Sequence, residues 1–163
     1  MIDDGSTATG EVMNLLARHN LLFRAVSSSN GNYDITVQAG SREYAQSDFN
    51  NASELVRKIR QRLTDDKRLL RIYGSDVVIG RLTGDASRTR LNLLNYSKRK
   101  IYGVRVRLLG TYVLSNIASD GIENVAALDF ETRDGATEFT IPEMNTYSIV
   151  DLEHCRTGVP GCP

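Results

Sequence analysis

Alternating arginines in two strand-like segments are the residues of this sequence whose types and spacing could do chemistry. They lie in the stretch RTRLNLLNYSKRKIYGVRVRLLG, residues 88–110, which we call the arginine ribbon. Side chains alternate between the two faces of a strand, so each segment would have one apolar and one basic face. If SKRK joined the segments as a hairpin, the basic face could hold an anion or a nucleic acid. The candidate ligand-binding residues are Arg90, Arg105, Arg107, Tyr96 and Tyr102.

Composition favours a structural role for the arginine ribbon. Single-strand binders add aromatic platforms to a basic groove, but the chain has no tryptophan. Residues 42–107 carry 16 basic and 7 acidic side chains, residues 108–163 carry 2 basic and 9 acidic ones, and the net charge of the chain is zero. This pattern indicates two segments that lie together and neutralise each other, and the alternative is an anion-binding face. We therefore expect the solvated face of a sheet and do not expect nucleic acid as a partner.

The histidines and cysteines form no recognisable metal or catalytic motif. His19 lies at the end of a predicted helix, where a cation suits the helix dipole. His154, Cys155 and Cys162 are close in sequence, but no fourth ligand is evident and the spacing fits no standard zinc pattern. We expect residues 154–163 to form a flexible tail, and the alternative is a local disulfide. No nucleophile, phosphate-loop or dinucleotide motif occurs, so we predict no catalytic residue, no metal, no cofactor and no enzymatic activity.

Hydrophobic spacing predicts two helices and two strands in residues 1–67. The first helix is expected from Thr9 to His19 and ends at Asn20. Strands are expected at Leu21–Val26 and Tyr33–Gln38. Asn51 and Glu54 have the spacing of a capping box for the second helix. The apolar stripe of that helix comprises Leu55, Val56, Ile59 and Leu63.

From Arg68 onward the hydrophobic period changes to two, which is typical of strands. Eight short segments separated by turn signals predict an antiparallel β-sandwich. The expected fold class is α+β, with a small α/β segment at residues 1–67, a β-sandwich at 68–153 and the flexible tail. The side chains expected to face inward are Val78, Leu91, Leu93, Val104, Val106 and Ile149.

Two stretches resemble the C-terminal region of bacterial β-galactosidase-like glycoside hydrolases. DVVIGRLTGDASRTRLNLLNYSKRKIYGVRVRLLGTY and GATEFTIPEMNTYSIVDLE resemble their terminal β-sandwich. STATGEVMNLLARHNLLFRAV resembles the end of the amidotransferase-like α/β domain that precedes it. In that family the catalytic acids lie in an upstream barrel. Since no residue here matches that barrel, the resemblance implies no catalytic residue for this chain.

The resemblance implies a non-catalytic accessory or assembly module related to a carbohydrate-active enzyme. The alternative is a small anion- or nucleic-acid-binding protein that uses the arginine ribbon. Carbohydrate is a candidate ligand, and we expect a homodimer because residues 1–67 must bury their apolar faces. The acidic, polar start lacks the features of a signal peptide and no long apolar run occurs. The chain as given is therefore expected in the cytoplasm, with no membrane partner.

Overall fold

Residues 1–38, 49–155 and 162 are described by a computed structural model, in which the chain divides into two units, Met1–Lys67 and Arg68–Pro163. The described residues contain two α-helices and eight strands, and the strand ladders are antiparallel. This confirms the α+β class. No helix in the described ranges has the length and apolar character needed to cross a membrane.

Helix α1 spans Thr7–Arg18, close to the predicted range. Ser6, one of the residues before the predicted start, is the N-cap, and its Oγ accepts a bond of 3.2 Å from the amide of Thr9. The bond satisfies an amide that has no partner inside the helix. Asn20 follows the helix with φ of 52°, a left-handed conformation that asparagine tolerates and that ends the helix as predicted.

Helix α2 spans Phe49–Arg62, so the predicted capping box is wrong. Asn51 and Glu54 both lie inside the helix, because the helix begins before Asn51. The residues directly before Phe49 lie outside the described ranges. A 3-10 turn at Asp65–Lys67 follows the helix.

The two strands predicted in the first unit are also wrong. Val26 and Gln38 each form a single parallel bridge with Ile2, and neither segment forms a ladder among the described residues. The amide of Ile2 donates to the carbonyl of Val37 at 2.8 Å, and that of Asp3 donates to Val26 at 2.8 Å. The alternating pattern correctly indicates extended backbone in these two segments. Apart from the end of α1, their described backbone partners are only Met1, Ile2 and Asp3, which is too few for a strand ladder.

The first unit has its own apolar core, which covers the stripe of α2. Val12 and Leu16 of α1 are buried with Val56 and Ile59 of α2, and Leu55 and Leu63 pack against them half-buried. The stripe is therefore covered without a second copy of the chain. A homodimer was expected partly because this stripe needed a partner to cover it. That reason no longer applies, and the homodimer itself stays a prediction.

Eight strands in the second unit correspond in order to the eight predicted segments. Seven differ only by small shifts at their ends, whereas the sixth, expected at residues 124–130 (NVAALDF), lies at Leu128–Arg133. The strands are β1 (Leu70–Tyr73), β2 (Val78–Gly84), β3 (Arg88–Asn95), β4 (Ile101–Leu109), β5 (Tyr112–Ser119), β6 (Leu128–Arg133), β7 (Ala136–Met144) and β8 (Tyr147–His154).

The strands form two four-stranded sheets. Sheet 1 has the order β1-β4-β7-β6, and sheet 2 has the order β2-β3-β8-β5. The two sheets come into contact at Gly80 of β2. A Cβ added there would lie 2.6 Å from Cδ2 of Leu70 and 3.2 Å from Cδ1 of Ile72, both in β1. A larger residue at position 80 would therefore collide with sheet 1.

The expected inward-facing residues are buried in all but one case. Side chains with at most 1% exposure include Val78, Leu91, Leu93, Val104 and Val106. Ile149 was expected to face inward and is only half-buried, whereas Ser148, Val150 and Leu152 are buried. The ladder explains this difference, because Val150 pairs with the buried Leu91, while Ile149 pairs with Asn92 on the other face.

The expected flexible tail lies mostly outside the described residues, since these omit 156–161 and 163. The first residue of the expected tail belongs instead to a strand. His154 is the last residue of β8, and the amide of Cys155 donates to the carbonyl of Thr111 at 2.9 Å. Cys155 forms a disulfide with Cys162, which is the alternative considered from the sequence.

The alternation of β3 gives a matched pair of leucines for a stability test. Leu93 is fully buried, and its neighbour Leu94 on the opposite face is 39% exposed. Leu93→Ala should lower the free energy of unfolding by about 2–5 kcal/mol, because it removes a buried side chain and leaves a cavity. Leu94→Ala should cost less than about 1 kcal/mol. Urea unfolding of both variants checks this, and equal losses would contradict the assigned face.

Candidate binding face of sheet 2

The arginine ribbon is not a hairpin, because its two strands belong to different sheets. Strand β3 pairs with β2 and β8, and β4 pairs with β1 and β7. Residues 96–100 cross from sheet 2 to sheet 1. The hairpin considered from the sequence therefore does not form, and Arg90 lies in a different sheet from Arg105 and Arg107. The candidate residues do not form one site.

Asn95, the last residue of β3, is buried and lies at this crossing. Its Nδ2 donates to the carbonyls of Arg99 and Asn145, each at 2.7 Å. Its Oδ1 accepts from the amide of Ser97 at 3.0 Å and from the Ser97 hydroxyl at 2.7 Å. Asn145 lies between β7 of sheet 1 and β8 of sheet 2. One side chain thus joins two of the connections that pass between the sheets, β3–β4 and β7–β8.

In sheet 1 the ribbon arginines are bound by acids from neighbouring strands. Nη2 of Arg105 lies 3.0 Å from Oε2 of Glu138 and 2.8 Å from Oε1 of Glu131. Nε of Arg107 lies 3.7 Å from Oε1 of Glu138. Partial burial acts to lower the pKa of the Arg105 guanidinium, but the bonds to Glu138 and Glu131 outweigh it and the pKa is raised. These cations are thereby already compensated.

In sheet 2 Arg90 and Asp151 form a bidentate ion pair across β3 and β8. Nε of Arg90 donates to Oδ1 of Asp151 at 2.6 Å, and Nη2 donates to Oδ2 at 3.0 Å. The hydrogen bond from Arg90 lowers the pKa of the Asp151 carboxyl. The same bond raises the pKa of the guanidinium. Parallel bonds of this kind fix the positions of both groups.

Charge compensation extends to other cations of the ribbon. Nε of Arg88 lies 3.8 Å from Oε1 of Glu153, and Lys100 forms an ion pair with Glu143. For these residues the structure confirms that the basic segment and the acidic segment after it neutralise each other.

The two candidate ligand-binding tyrosines, Tyr96 and Tyr102, lie just after β3 of sheet 2 and in β4 of sheet 1. Tyr96 follows β3, and its hydroxyl donates to the carbonyl of Asp76 at 2.7 Å. Tyr102 lies in β4 and is 66% exposed. Tyr112 is buried at the start of β5, against the ring of His154. Tyr96 and Tyr102 are therefore separate surface residues.

A row of hydrogen-bonding side chains crosses all four strands of sheet 2. The ladder places Thr83, Arg90, Asp151 and Asn116 in one row. Nδ2 of Asn116 donates to Oδ2 of Asp151 at 3.4 Å. Asn92, in the next row, has its Nδ2 3.3 Å from Oγ1 of Thr83.

An apolar row lies on the same face, separated from the polar row by the row that contains Asn92 and Ile149. Ile79, Leu94 and Tyr147 occupy one row of the ladder, with Leu94 and Tyr147 both exposed, and Ile149 follows half-buried. The hydroxyl of Tyr147 donates to Oδ1 of Asn92 at 2.5 Å, which joins the apolar and polar rows. We call this surface the sheet 2 face.

A concavity of about 420 Å³ opens beside the polar row, between the β2–β3 turn and the end of β8. Gly84 begins the turn with φ of 148°, and a Cβ there would lie 2.1 Å from the carbonyl oxygen of Arg88. Asp85 accepts from the Ser87 hydroxyl at 2.6 Å and from two turn amides. The hydroxyl of Ser87, followed by those amides, lowers the pKa of Asp85 to about 2. Asp85 therefore serves to close the turn.

Of the residues that form the polar row and the apolar row of this face, only Arg90 is predicted from the sequence as a ligand-binding residue. Alternation in YSIVDLE does place Tyr147, Ile149 and Asp151 on one side of a strand. These residues lie near Arg90 because β3 pairs with β8. That pairing joins residues about sixty positions apart, so local periodicity cannot predict it.

No protein-family model matches the chain, and no curated protein matches it. Among solved structures, the fold is similar to part of Alpha-L-fucosidase isoenzyme 2 from Paenibacillus thiaminolyticus, with a TM-score of 0.51 and 15% sequence identity. The match covers 68% of this chain and 19% of the fucosidase chain. At this identity the likeness is one of fold. It links the described architecture to a part of a glycoside hydrolase.

Breaking the Arg90–Asp151 pair should raise the pKa of Asp151. Because Arg90 lowers that pKa in the folded state, its stabilising effect is complete above the unfolded pKa and is lost as pH falls through the folded one. Arg90→Met should return the pKa towards its ordinary range, as measured by carboxyl ¹³C NMR across acidic pH. Arg81→Met, on the neighbouring strand, is the control and should leave it unchanged. An unchanged Asp151 pKa in Arg90→Met would show that the pair does not form in solution.

Proposed function

We propose that the second unit is a non-catalytic β-sandwich module of a protein related to carbohydrate-active enzymes. The observation that carries this is the likeness of fold to 19% of a fucosidase chain, a share that leaves most of that enzyme outside the match. The sequence resemblance to the terminal region of β-galactosidase-like hydrolases agrees with the same class of protein. The finer relation, to fucosidases or to β-galactosidases, is part of the proposal.

Face-to-face packing of the two sheets supports the sandwich. Phe139 and Ile141 in sheet 1 and Leu91 and Leu93 in sheet 2 are fully buried. The close approach of Gly80 to Leu70 brings the sheets together at one edge. Antiparallel sheets commonly bury one face against a partner and leave the other face to solvent.

The acids of the sheet 2 face support a non-catalytic role. Glycoside hydrolysis uses a carboxylic acid with a raised pKa to protonate the leaving group. Here the pKa of Asp85 is lowered to about 2 by turn hydrogen bonds, and that of Asp151 is lowered by Arg90. Both carboxyls are thus held in the form that cannot donate a proton.

Nucleic acid is not an expected ligand of these arginines. Binding to a phosphate backbone requires protein cations that neutralise phosphates and thereby release the counterions condensed on the nucleic acid. Arg90, Arg105 and Arg107 are each beside a carboxylate of the same sheet, so a phosphate would have to displace that acid. The anion-binding alternative therefore has weaker support than the accessory module.

The disulfide supports an oxidising compartment instead of the expected cytoplasm. Cys155 and Cys162 are joined, and no cysteine is free. Disulfides persist mainly in secreted and periplasmic proteins, because cytosolic reductants keep thiols reduced.

The full chain should release no nitrophenol from a panel of p-nitrophenyl glycosides, including the α-L-fucoside and the β-D-galactoside. An active α-L-fucosidase assayed in parallel is the positive control. The expected result is a rate equal to that of buffer, because the acids of the sheet 2 face have lowered pKa values. Release that disappears in Asp151→Asn would contradict the non-catalytic role.

A further inference from the structure

We propose that the sheet 2 face binds a neutral oligosaccharide, with Tyr147 as its apolar platform and Arg90, Asp151 and Asn92 as its hydrogen-bonding residues. This inference rests on the proposed function and assigns a ligand class to the module.

The polar row has the donor and acceptor pattern that sugar hydroxyls require. A hydroxyl both donates and accepts hydrogen bonds, so it can bridge a guanidinium and a carboxylate that lie side by side. Arg90 and Asp151 provide such a pair at 2.6 Å, and Thr83 and Asn116 extend it on either side. The row crosses four strands and is therefore about 14 Å long. Its length fits a short oligosaccharide better than a single sugar.

The charge balance of the row favours a neutral ligand. Asp151 already compensates Arg90, and both groups are fixed by parallel hydrogen bonds. An anionic ligand would gain the attraction of Arg90 but would meet the repulsion of Asp151 at nearly the same distance. A polyol can hydrogen-bond to both groups while their ion pair stays intact.

The apolar row supplies a surface for the C–H face of a sugar ring. Tyr147 is 37% exposed, and its hydroxyl donates to Asn92, which restrains the position of the ring. Leu94 and Ile149 lie beside it on the same face. An exposed ring held in place by a hydrogen bond loses little conformational entropy when a ligand packs on it.

The adjoining concavity has a size suited to a bound ligand. Its volume of about 420 Å³ lies within the range of small-molecule sites. Thr83, Arg90 and Asp151 line it and also belong to the polar row, so a chain lying on the row could place one end in the concavity.

Isothermal titration calorimetry of the full chain tests the site. The probes are 2′-fucosyllactose, cellohexaose, mannohexaose and laminarihexaose, with 3′-sialyllactose as the anionic comparison. At least one neutral probe should bind with a millimolar or tighter Kd. Tyr147→Ala and Arg90→Met should each weaken that binding by about tenfold or more, because each removes a central contact.

Two further variants separate the site from general effects of mutation. Arg105→Met, which breaks an equivalent arginine–glutamate pair on sheet 1, should leave the affinity unchanged. Tyr147→Phe keeps the ring and should retain binding within about threefold, since only one hydrogen bond is lost. Melting curves of all variants check that they are folded.

Three results would overturn the site. These are no heat with any neutral probe at millimolar concentration, unchanged binding in the Tyr147→Ala, Arg90→Met double variant, or binding of 3′-sialyllactose alone. A chain that neither binds these probes nor hydrolyses glycosides would overturn the oligosaccharide site alone and leave the non-catalytic role standing. Hydrolysis of a glycoside by the chain would overturn the non-catalytic role.

Discussion

The buried side chain of Asn95 joins two of the connections between the sheets of the second unit. A buried amide must find partners for its donors and its acceptor, because an unsatisfied polar group costs about 1–3 kcal/mol. Asn95 finds them in two of the connections that pass from one sheet to the other, at Arg99 and at Asn145. These bonds fasten the β3–β4 connection to the β7–β8 connection, beside the paired strands β3 and β8.

This arrangement decides what the arginines can do. A β3–β4 hairpin would have gathered Arg90, Arg105 and Arg107 on one basic ribbon. In the structure the arginines lie in different sheets, and each sheet supplies its own acids from the later strands. The outcome is two charge-balanced surfaces, and on sheet 2 the balanced pair shares a face with an exposed tyrosine. The same pairing that gives Arg90 a compensating acid places hydrogen-bond donors and acceptors side by side on the sheet 2 face.

Local pattern was sufficient for the elements and for most of the buried faces. Alternation predicted eight strands in the observed order, and it predicted the inward side of β3 and β4 because apolar residues flank a polar one at residues 91–93 and at residues 104–106. It failed at β8, where Ile149 and Val150 are adjacent apolar residues and either one could face inward. It also failed for the capping box at Asn51, which has the right spacing but lies within the helix.

The candidate site was less accessible from sequence, because its residues meet only through long-range pairing. A connection of five residues between β3 and β4 has the length of an ordinary hairpin loop. The long-range pairings of β3 with β8 and of β4 with β7 show that it is a crossing, and the bond from Asn95 to Asn145, fifty residues away, accompanies it. The charge composition did predict that the basic and acidic segments neutralise each other, since charge balance does not depend on which strands are neighbours.

Nuclear Overhauser contacts between strands test the separation of β3 from β4 most directly. We expect backbone contacts between Leu91 and Val150, and between Val106 and Phe139, since these residues are ladder partners. No series of contacts should join β3 to β4. A continuous set of cross-strand contacts between β3 and β4, in the register of a hairpin, would restore the single arginine ribbon and contradict the arrangement described.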